Sequence, residues 1–368
     1  MNIDYANRLE ELQNRLTEKN IDVAMITSPA NVFYYTGFKC NPHERFMALI
    51  RDNNQQEFIL FVPALDKDIA NNESFIKNIV SISDEEDPFY KLKNTLGKSI
   101  NHFGIEMKTV SMYQHQQLSA SFSGVTYEDI EPIISNQRLI KTKDELVYAQ
   151  KAVDIIEQVL KDGIKKVTLG MTELELTAEL EYLMKKHGAE GPSFSTIVLS
   201  GEKAALPHGR PGNRPFQKGD FLLIDMGVEI IEGYCSDITR TFIIGEATSK
   251  QKRIYDIVLQ SNQAGVNAVK AGAELKNLDI AARKVIDDSG YGEYFNNRVG
   301  HGLGIEVHEE PSIHENNNQI AENGLFFTIE PGIYIPGYGG VRIEDEVYIN
   351  EDGDPEVLTS FPKELQVL

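Results

Sequence analysis

Cysteine is scarce. Cys40 and Cys235 are the only two in 368 residues, too few and too far apart for a disulfide framework. No stretch approaches about 18 uncharged apolar residues, so no membrane-spanning helix is predicted. Met1 to Tyr5 are polar and are soon followed by Glu10 and Glu11, without the basic-then-apolar profile of a signal peptide. Basic residues are outnumbered, 36 Lys and Arg against 56 Asp and Glu, for a formal net charge of −20. Such an excess repels phosphates and argues against nucleic acid and anionic membranes as partners. A hydrophobic content of 41% excludes disorder. These absences predict a reduced, cytoplasmic chain. Its length suits two domains, with a core large enough to stand without disulfides.

The first part of the chain alternates helical and strand patterns. Leu9, Leu12 and Leu16 keep helical spacing over 5–20, and 21–26 reads as a strand. Residues 46–50 and 58–62 flank the turn-forming Asp52-Asn53-Asn54 and read as a hairpin. A helix over 85–97 and a strand over 100–105 follow. This α/β domain is expected over 1–135, with a connection at 136–142 and a second domain over 143–368. The acidic and basic residues of the first domain are scattered as on a solvated surface. At the boundary, Thr142 and Glu145 have the spacing of a capping box. Helical periodicity then runs to about Lys166.

From there the chain repeats itself. Gly170, Leu176 and Gly188 map onto Gly272, Leu278 and Gly290 at a constant offset of 102. Each of these helices is preceded by another long helix and followed by a strand-rich segment. Asp225-Met226-Gly227 is matched by Glu330-Pro331-Gly332 at an offset of 105, and Asp237 by Glu344 at 107. Amphipathic helices resemble one another by chance, but four carboxylates in matching strand positions point to duplication. The period is too long for a solenoid.

Asp225 continues the apolar run Phe221-Leu222-Leu223-Ile224, and Glu330 continues Leu325 to Ile329. Burying such a carboxylate unpaired is costly. Singly, each of the four reads as a strand-end carboxylate satisfied by hydrogen bonds. Together, like charges would raise one another's pKa unless cations compensated them. His301 lies in Gly300-His301-Gly302, where flanking glycines allow close backbone approach and aim the ring; a structural histidine in a glycine-rich turn is the plainer alternative. The Asp, Asp, His, Glu, Glu set is oxygen-rich and suits manganese or cobalt over a thiolate-type zinc site.

These residues carry a family resemblance. The duplicated part resembles the pita-bread fold of the methionine aminopeptidase, aminopeptidase P, prolidase and creatinase superfamily. It does so through Pro207-His208-Gly209, Ile224-Asp225-Met226-Gly227, Gly233 to Thr241, Gly300 to Glu309, Ile329-Glu330-Pro331-Gly332 and Val341-Arg342-Ile343-Glu344-Asp345, in family order. Ser28 to Phe38, after a strand, resembles the creatinase/prolidase N-terminal domain. The fold class implied is α/β (α+β), with a duplicated C-terminal domain.

The resemblance implies Asp225, Asp237, His301, Glu330 and Glu344 as ligands of two divalent metal ions per subunit. Manganese is the first choice, with cobalt, zinc or iron(II) as others. It further implies Glu330 as general base, His308 as the group at the scissile peptide, and His208 in the substrate pocket. Arg342 and Tyr334 are implied to orient the metal carboxylates. On the residues alone, His208 reads as a loop histidine, Arg342 as a surface arginine and Tyr334 as a core tyrosine. The family usually has one residue fewer between its first two aspartates than the eleven here, and the extra residue falls in Glu229 to Glu232. Several dipeptide-cleaving members carry an arginine four residues after the counterpart of His308, where it helps hold the substrate carboxylate. Ser312 stands there in this chain.

The function implied is dinuclear metal-dependent hydrolysis of the bond before proline, in Xaa-Pro dipeptides or short peptides with proline second. The alternatives are an Xaa-Pro aminopeptidase acting on longer peptides, a creatinase-like metal-free hydrolase and a non-catalytic binding protein. The last two usually lose the ligand set that is present here. Methionine aminopeptidases resemble only the duplicated part. Family members are commonly homodimers, which is the assembly the resemblance implies.

Overall fold

The computed structural model describes residues 3–96 and 100–368. Met1 and Asn2 of the polar N-terminus, and residue 97 of the expected 85–97 helix, lie outside them. The chain divides into two compact units, Met1–Arg138 and Leu139–Leu368.

The first unit is one mixed sheet with helices. Its strands are β1 (Val23–Ile26), β2 (Ala48–Asp52), β3 (Glu57–Pro63), β4 (Ile79–Ile82), β5 (His102–Ile105) and β6 (Thr126–Asp129). They lie in the order β4-β3-β2-β1-β5-β6. The β2–β3 hairpin turns where expected, because buried Asp52 accepts hydrogen bonds from the backbone of Asn54 and Gln55. Around the sheet run α1 (Tyr5–Glu18), α2 (Pro29–Thr36), α3 (Lys67–Glu73), α4 (Pro88–Thr95), α5 (Met112–Ser121) and α6 (Glu131–Leu139). The helix α6 continues into the expected 136–142 connection. Its polar stretch is anchored inside the first unit. Gln137 donates to the Arg8 carbonyl at 2.8 Å and accepts from the Tyr35 hydroxyl at 2.8 Å, and Arg138 donates to Asn31 at 2.5 Å.

The second unit opens with α7 (Lys143–Gly163), capped by the Thr142–Glu145 box expected from the sequence. Then come α8 (Glu173–Lys186), β7 (Gly191–Pro192), β8 (Ile197–Ser200), β9 (Phe221–Met226), β10 (Val228–Glu229) and β11 (Ile238–Ile243). The second half repeats the plan with α9 (Ser249–Asn267), α10 (Lys276–Asp288), β12 (Gly300–Gly302), β13 (Glu309–Ile313), β14 (Phe326–Ile329), β15 (Gly332–Ile335), β16 (Gly339–Arg342), β17 (Asp345–Ile349) and β18 (Pro355–Val357). The main sheets run β11-β9-β8 and β13-β12-β14-β17-β18, with β10-β7 and β15-β16 as separate pairs.

The duplication read from the sequence has a structural counterpart. The antiparallel pairs β9–β11 and β14–β17 occupy corresponding places, and each follows a helix pair. Strand alternation divides β9 between two cores. Leu222, Ile224 and Met226 pack in the core of the first half, whereas Phe221 and Leu223 face that of the second. Asp225 continues the face of Phe221 and Leu223, and Thr239 lies directly opposite it on β11. The carboxylate therefore sits between the two halves.

Candidate active site

All nine side chains singled out from the sequence line one cavity of about 320 Å³. Asp225 comes from β9, Asp237 from the residue before β11, and His301 from β12. Glu330 follows β14 and Glu344 precedes β17. The segment Glu229 to Glu232, where the resemblance implies one residue more, lies at a hairpin tip. There Gly233 donates to the Ile230 carbonyl at 2.8 Å with a φ of 78°, and Asp225 keeps its register opposite Thr239.

His301 is aimed by its neighbours. A Cβ on Gly300 would lie 1.9 Å from the Thr328 carbonyl oxygen, and one on Gly302 would lie 2.1 Å from that of Glu310. Only glycine fits at either place. The His301 Nδ1 lies 3.1 Å from the Gly302 carbonyl oxygen, so a proton there leaves Nε2 as the free lone pair. Nε2 faces Glu330 Oε1 at 3.4 Å and Asp237 Oδ2 at 3.6 Å. Burial, with His308 and Arg298 nearby, lowers the His301 pKa to about 3. The ring is therefore neutral at neutral pH, and these approaches are convergent ligand atoms rather than ion pairs.

Ligand atoms of Asp237, His301 and Glu344 all lie within 4.8 Å of one another. Asp225 stands apart from this group, with its Oδ2 taken by Arg342. Burial, then Glu344, Asp225 and Glu330, raise Asp237 well above the ordinary carboxyl range. Burial, then Glu330 and Asp225, do the same to Glu344. Burial pushes Glu330 up to about 7. Glu344 Oε1 is buried and has no hydrogen-bond partner. An orphaned carboxylate oxygen beside a neutral imidazole and further carboxylates fits a divalent cation.

Arg342 and Tyr334 meet beside Asp225 in this cavity. Arg342 also donates to the Tyr334 hydroxyl at 2.9 Å and to Thr239 Oγ1 at 3.0 Å. The His308 ring stands edge-on to His301, with centroids 4.3 Å apart. His208 lines the same cavity and is exposed.

Several supporting residues escaped the sequence reading. Thr239 donates to Glu344 Oε2 at 2.7 Å. Glu346 accepts from the Asp237 backbone N–H at 2.6 Å. Asn262 on α9 donates to the carbonyls of Ile329 and Ile343, each one residue before a site glutamate. Arg240 is fully buried; it donates to the Glu344 carbonyl and, at 3.0 Å, to Asp345. A charged residue inside the run Ile238 to Ile244 is the signal that could have found it, because burying it demands partners.

Comparison with known proteins identifies two domain families in the chain. Residues 148–351 match metallopeptidase family M24, and residues 8–140 match the creatinase/prolidase N-terminal domain. A Bacillus subtilis (strain 168) protein named "Putative dipeptidase YkvY" is 40% identical over 98% of this chain and 100% of its own length. The structure of a prolidase from Pyrococcus furiosus is 38% identical, covers 94% of this chain and 98% of its own, and superposes with a TM-score of 0.86. An X-Pro aminopeptidase from Thermotoga maritima MSB8 is 33% identical, with 96% and 100% coverage and a TM-score of 0.86. These likenesses bear out the α/β architecture expected, a creatinase/prolidase-type N-terminal domain followed by a pita-bread domain.

Proposed function

The chain belongs to metallopeptidase family M24, and on that premise we propose that it hydrolyses the peptide bond before proline in Xaa-Pro dipeptides or short peptides with proline second. The observation that carries this reading is the convergence of Asp237, His301 and Glu344, with Glu330 3.4 Å from His301, in one small cavity. Its volume, about 320 Å³, sits at the lower end of ligand sites, roughly 300–1,000 Å³, which suits a dipeptide or the end of a short peptide.

In this reading Asp225, Asp237, His301, Glu330 and Glu344 hold two divalent ions, manganese first because the donors are mostly oxygen. When bound, such ions polarise the scissile carbonyl and acidify the attacking water. Glu330 accepts the proton from that water and returns it to the departing prolyl nitrogen. His308 has its pKa lowered by partial burial, Arg298 and His208. A neutral ring donates an N–H to the carbonyl oxygen as charge develops there. His208 lines the pocket beside the substrate. Arg342 holds Asp225 in place and is itself braced by the Tyr334 hydroxyl, which accepts from it.

Ser312 at the position where dipeptide-cleaving relatives carry arginine favours a second reading, an Xaa-Pro aminopeptidase acting on longer peptides. The reading also includes a homodimer and a cytoplasmic setting, both resting on the family resemblance. The domains are taken as 1–135 and 143–368. Metal analysis with activity on Xaa-Pro dipeptides, before and after chelation, tests the central statement. A folded protein with neither bound divalent metal nor chelator-sensitive activity refutes it. Glu330→Gln is expected to abolish turnover almost completely, and full activity would remove the role given to Glu330.

A further inference from the structure

The cavity holds two guanidinium groups in different situations. Each guanidinium nitrogen of Arg342 already has a partner, in Thr239, Tyr334 and Asp225. Arg298, three residues before His301, lines the same cavity and is half-buried. Its Nη1 donates to Ser312 Oγ at 3.0 Å, and it forms no ion pair among the described residues. A guanidinium has five donors in a planar fork that matches a carboxylate. Ser312 lies directly across the β12–β13 ladder from His301. It therefore fixes one arm of Arg298 relative to the site and leaves other donors for a ligand.

The electrostatic setting agrees. Arg298 acts on His301, His308 and Glu330, so its charge lies within reach of the reacting end of the cavity. Arg342, the other arginine lining the cavity, is already paired with Asp225, which leaves Arg298 as the cavity guanidinium without a carboxylate among the described residues. The free carboxylate of an Xaa-Pro dipeptide is separated from the scissile carbonyl by one proline residue, so it must bind within this same small cavity.

We propose that Arg298, positioned by Ser312, recognises the free C-terminal carboxylate of the substrate and makes the enzyme prefer dipeptides over longer peptides. This rests on the Xaa-Pro reading above. It gives the chain a carboxylate anchor just ahead of β12, the strand that pairs with β13, where the resemblance places the arginine of related dipeptidases, and so favours the dipeptidase over the aminopeptidase alternative.

The test compares an Xaa-Pro dipeptide with its C-terminal amide on the metal-loaded enzyme, for wild type, Arg298→Met, Arg298→Lys and Ser312→Ala. Wild type is expected to prefer the acid. Arg298→Met should lower kcat/KM for the acid about 10- to 100-fold, mainly through KM, as expected for a lost charge-assisted pair. The amide should change less than about threefold. Arg298→Lys should restore part of the acid activity and Ser312→Ala should fall between, which keeps the test valid if the Met variant folds poorly. Equal losses on acid and amide would overturn the proposal in favour of a general electrostatic role. A wild type that cleaves acid and amide equally would overturn it while leaving the Xaa-Pro reading intact. A wild type that cleaves neither would overturn both.

Discussion

Thr239 donates its hydroxyl to Glu344 Oε2 at 2.7 Å, while the other oxygen of Glu344 is buried without a partner. The two residues belong to different halves of the duplicated domain. They are joined again through the backbone, Glu344 N–H to Thr239 O at 3.2 Å. One bond thus orients the carboxylate, and its other oxygen is left for the proposed cation. The same hydroxyl accepts from Arg342 Nε at 3.0 Å, so Thr239 couples the ligand to the arginine that holds Asp225.

Thr239→Val keeps the shape of the side chain and removes this hydroxyl. Loss of such an orienting bond is expected to weaken metal affinity about 10- to 100-fold. Leaving Glu344 and Arg342 each short of a partner costs about 1–3 kcal/mol. Calorimetric titration of the metal-free protein with Mn²⁺ reads the first effect, and Thr239→Ser should restore much of it. An affinity within twofold of wild type would show that Glu344 needs no such support.

Metal binding is expected to release protons. Burial places the Glu330 carboxyl at about 7, and Asp237 and Glu344 are also raised. A carboxyl whose folded pKa exceeds its unfolded value of about 4.3 stabilises the fold below that value. For Glu330 this contribution is lost as pH rises through about 7. The metal-free protein should therefore gain Tm on moving from about pH 8 to pH 6, relative to the loaded form. Calorimetry at about pH 6 in buffers of different ionisation enthalpy should reveal proton release, diminishing toward alkaline pH. Heats independent of the buffer at pH 6 would contradict these protonation states.

Arg240 predicts a different pH response. Asp345 is buried, which raises its pKa, but Arg240 and Lys363 outweigh this and hold it below the usual range. A depressed carboxyl pKa contributes stability that is lost as pH falls through it. Arg240→Met leaves Asp345 to Lys363 and Thr359 alone and should cost about 3–5 kcal/mol near neutral pH. The deficit should narrow at about pH 4 as Asp345 takes up a proton. Urea unfolding of both proteins at the two pH values measures this. An equal deficit at both would mean the loss is one of packing.

The carboxylates and the imidazole that line the cavity are legible because carboxylates interrupt apolar strands and recur in both halves, and because glycines frame His301. Their supports were harder to read. Thr239 and Arg240 meet Glu344 and Asp345 across separations of 104 and 105 residues, and nothing local in Ser236 to Thr241 names those partners. Asn262 looks like any polar residue on a helix until its carboxamide is seen holding the backbone before both site glutamates. For the same reason 136–142 reads as a connection: Gln137 is helical and buried through Arg8 and Tyr35, which lie more than 100 residues away in sequence. Local pattern reveals which residues are costly to bury, whereas the fold decides what satisfies them.

Gly300 offers the most direct test of how His301 is aimed. Its missing Cβ lets β12 lie against Thr328, whose carbonyl oxygen would be 1.9 Å from an added methyl group. The clash is with backbone on the neighbouring strand rather than with a flexible side-chain end, so relief requires the strands to part. His301 N–H also donates to Thr328 Oγ1 at 3.2 Å, and any such movement carries the imidazole with it. Gly300→Ala is expected to cost about 1–3 kcal/mol as an overpacked core substitution does. Metal affinity should fall in parallel, because Nε2 is displaced from Asp237 and Glu330. Urea midpoints and Mn²⁺ titration on the same samples separate the two effects. A variant that loses stability but binds metal normally would show that the glycine serves strand packing alone and leaves the aim of His301 to its hydrogen bonds.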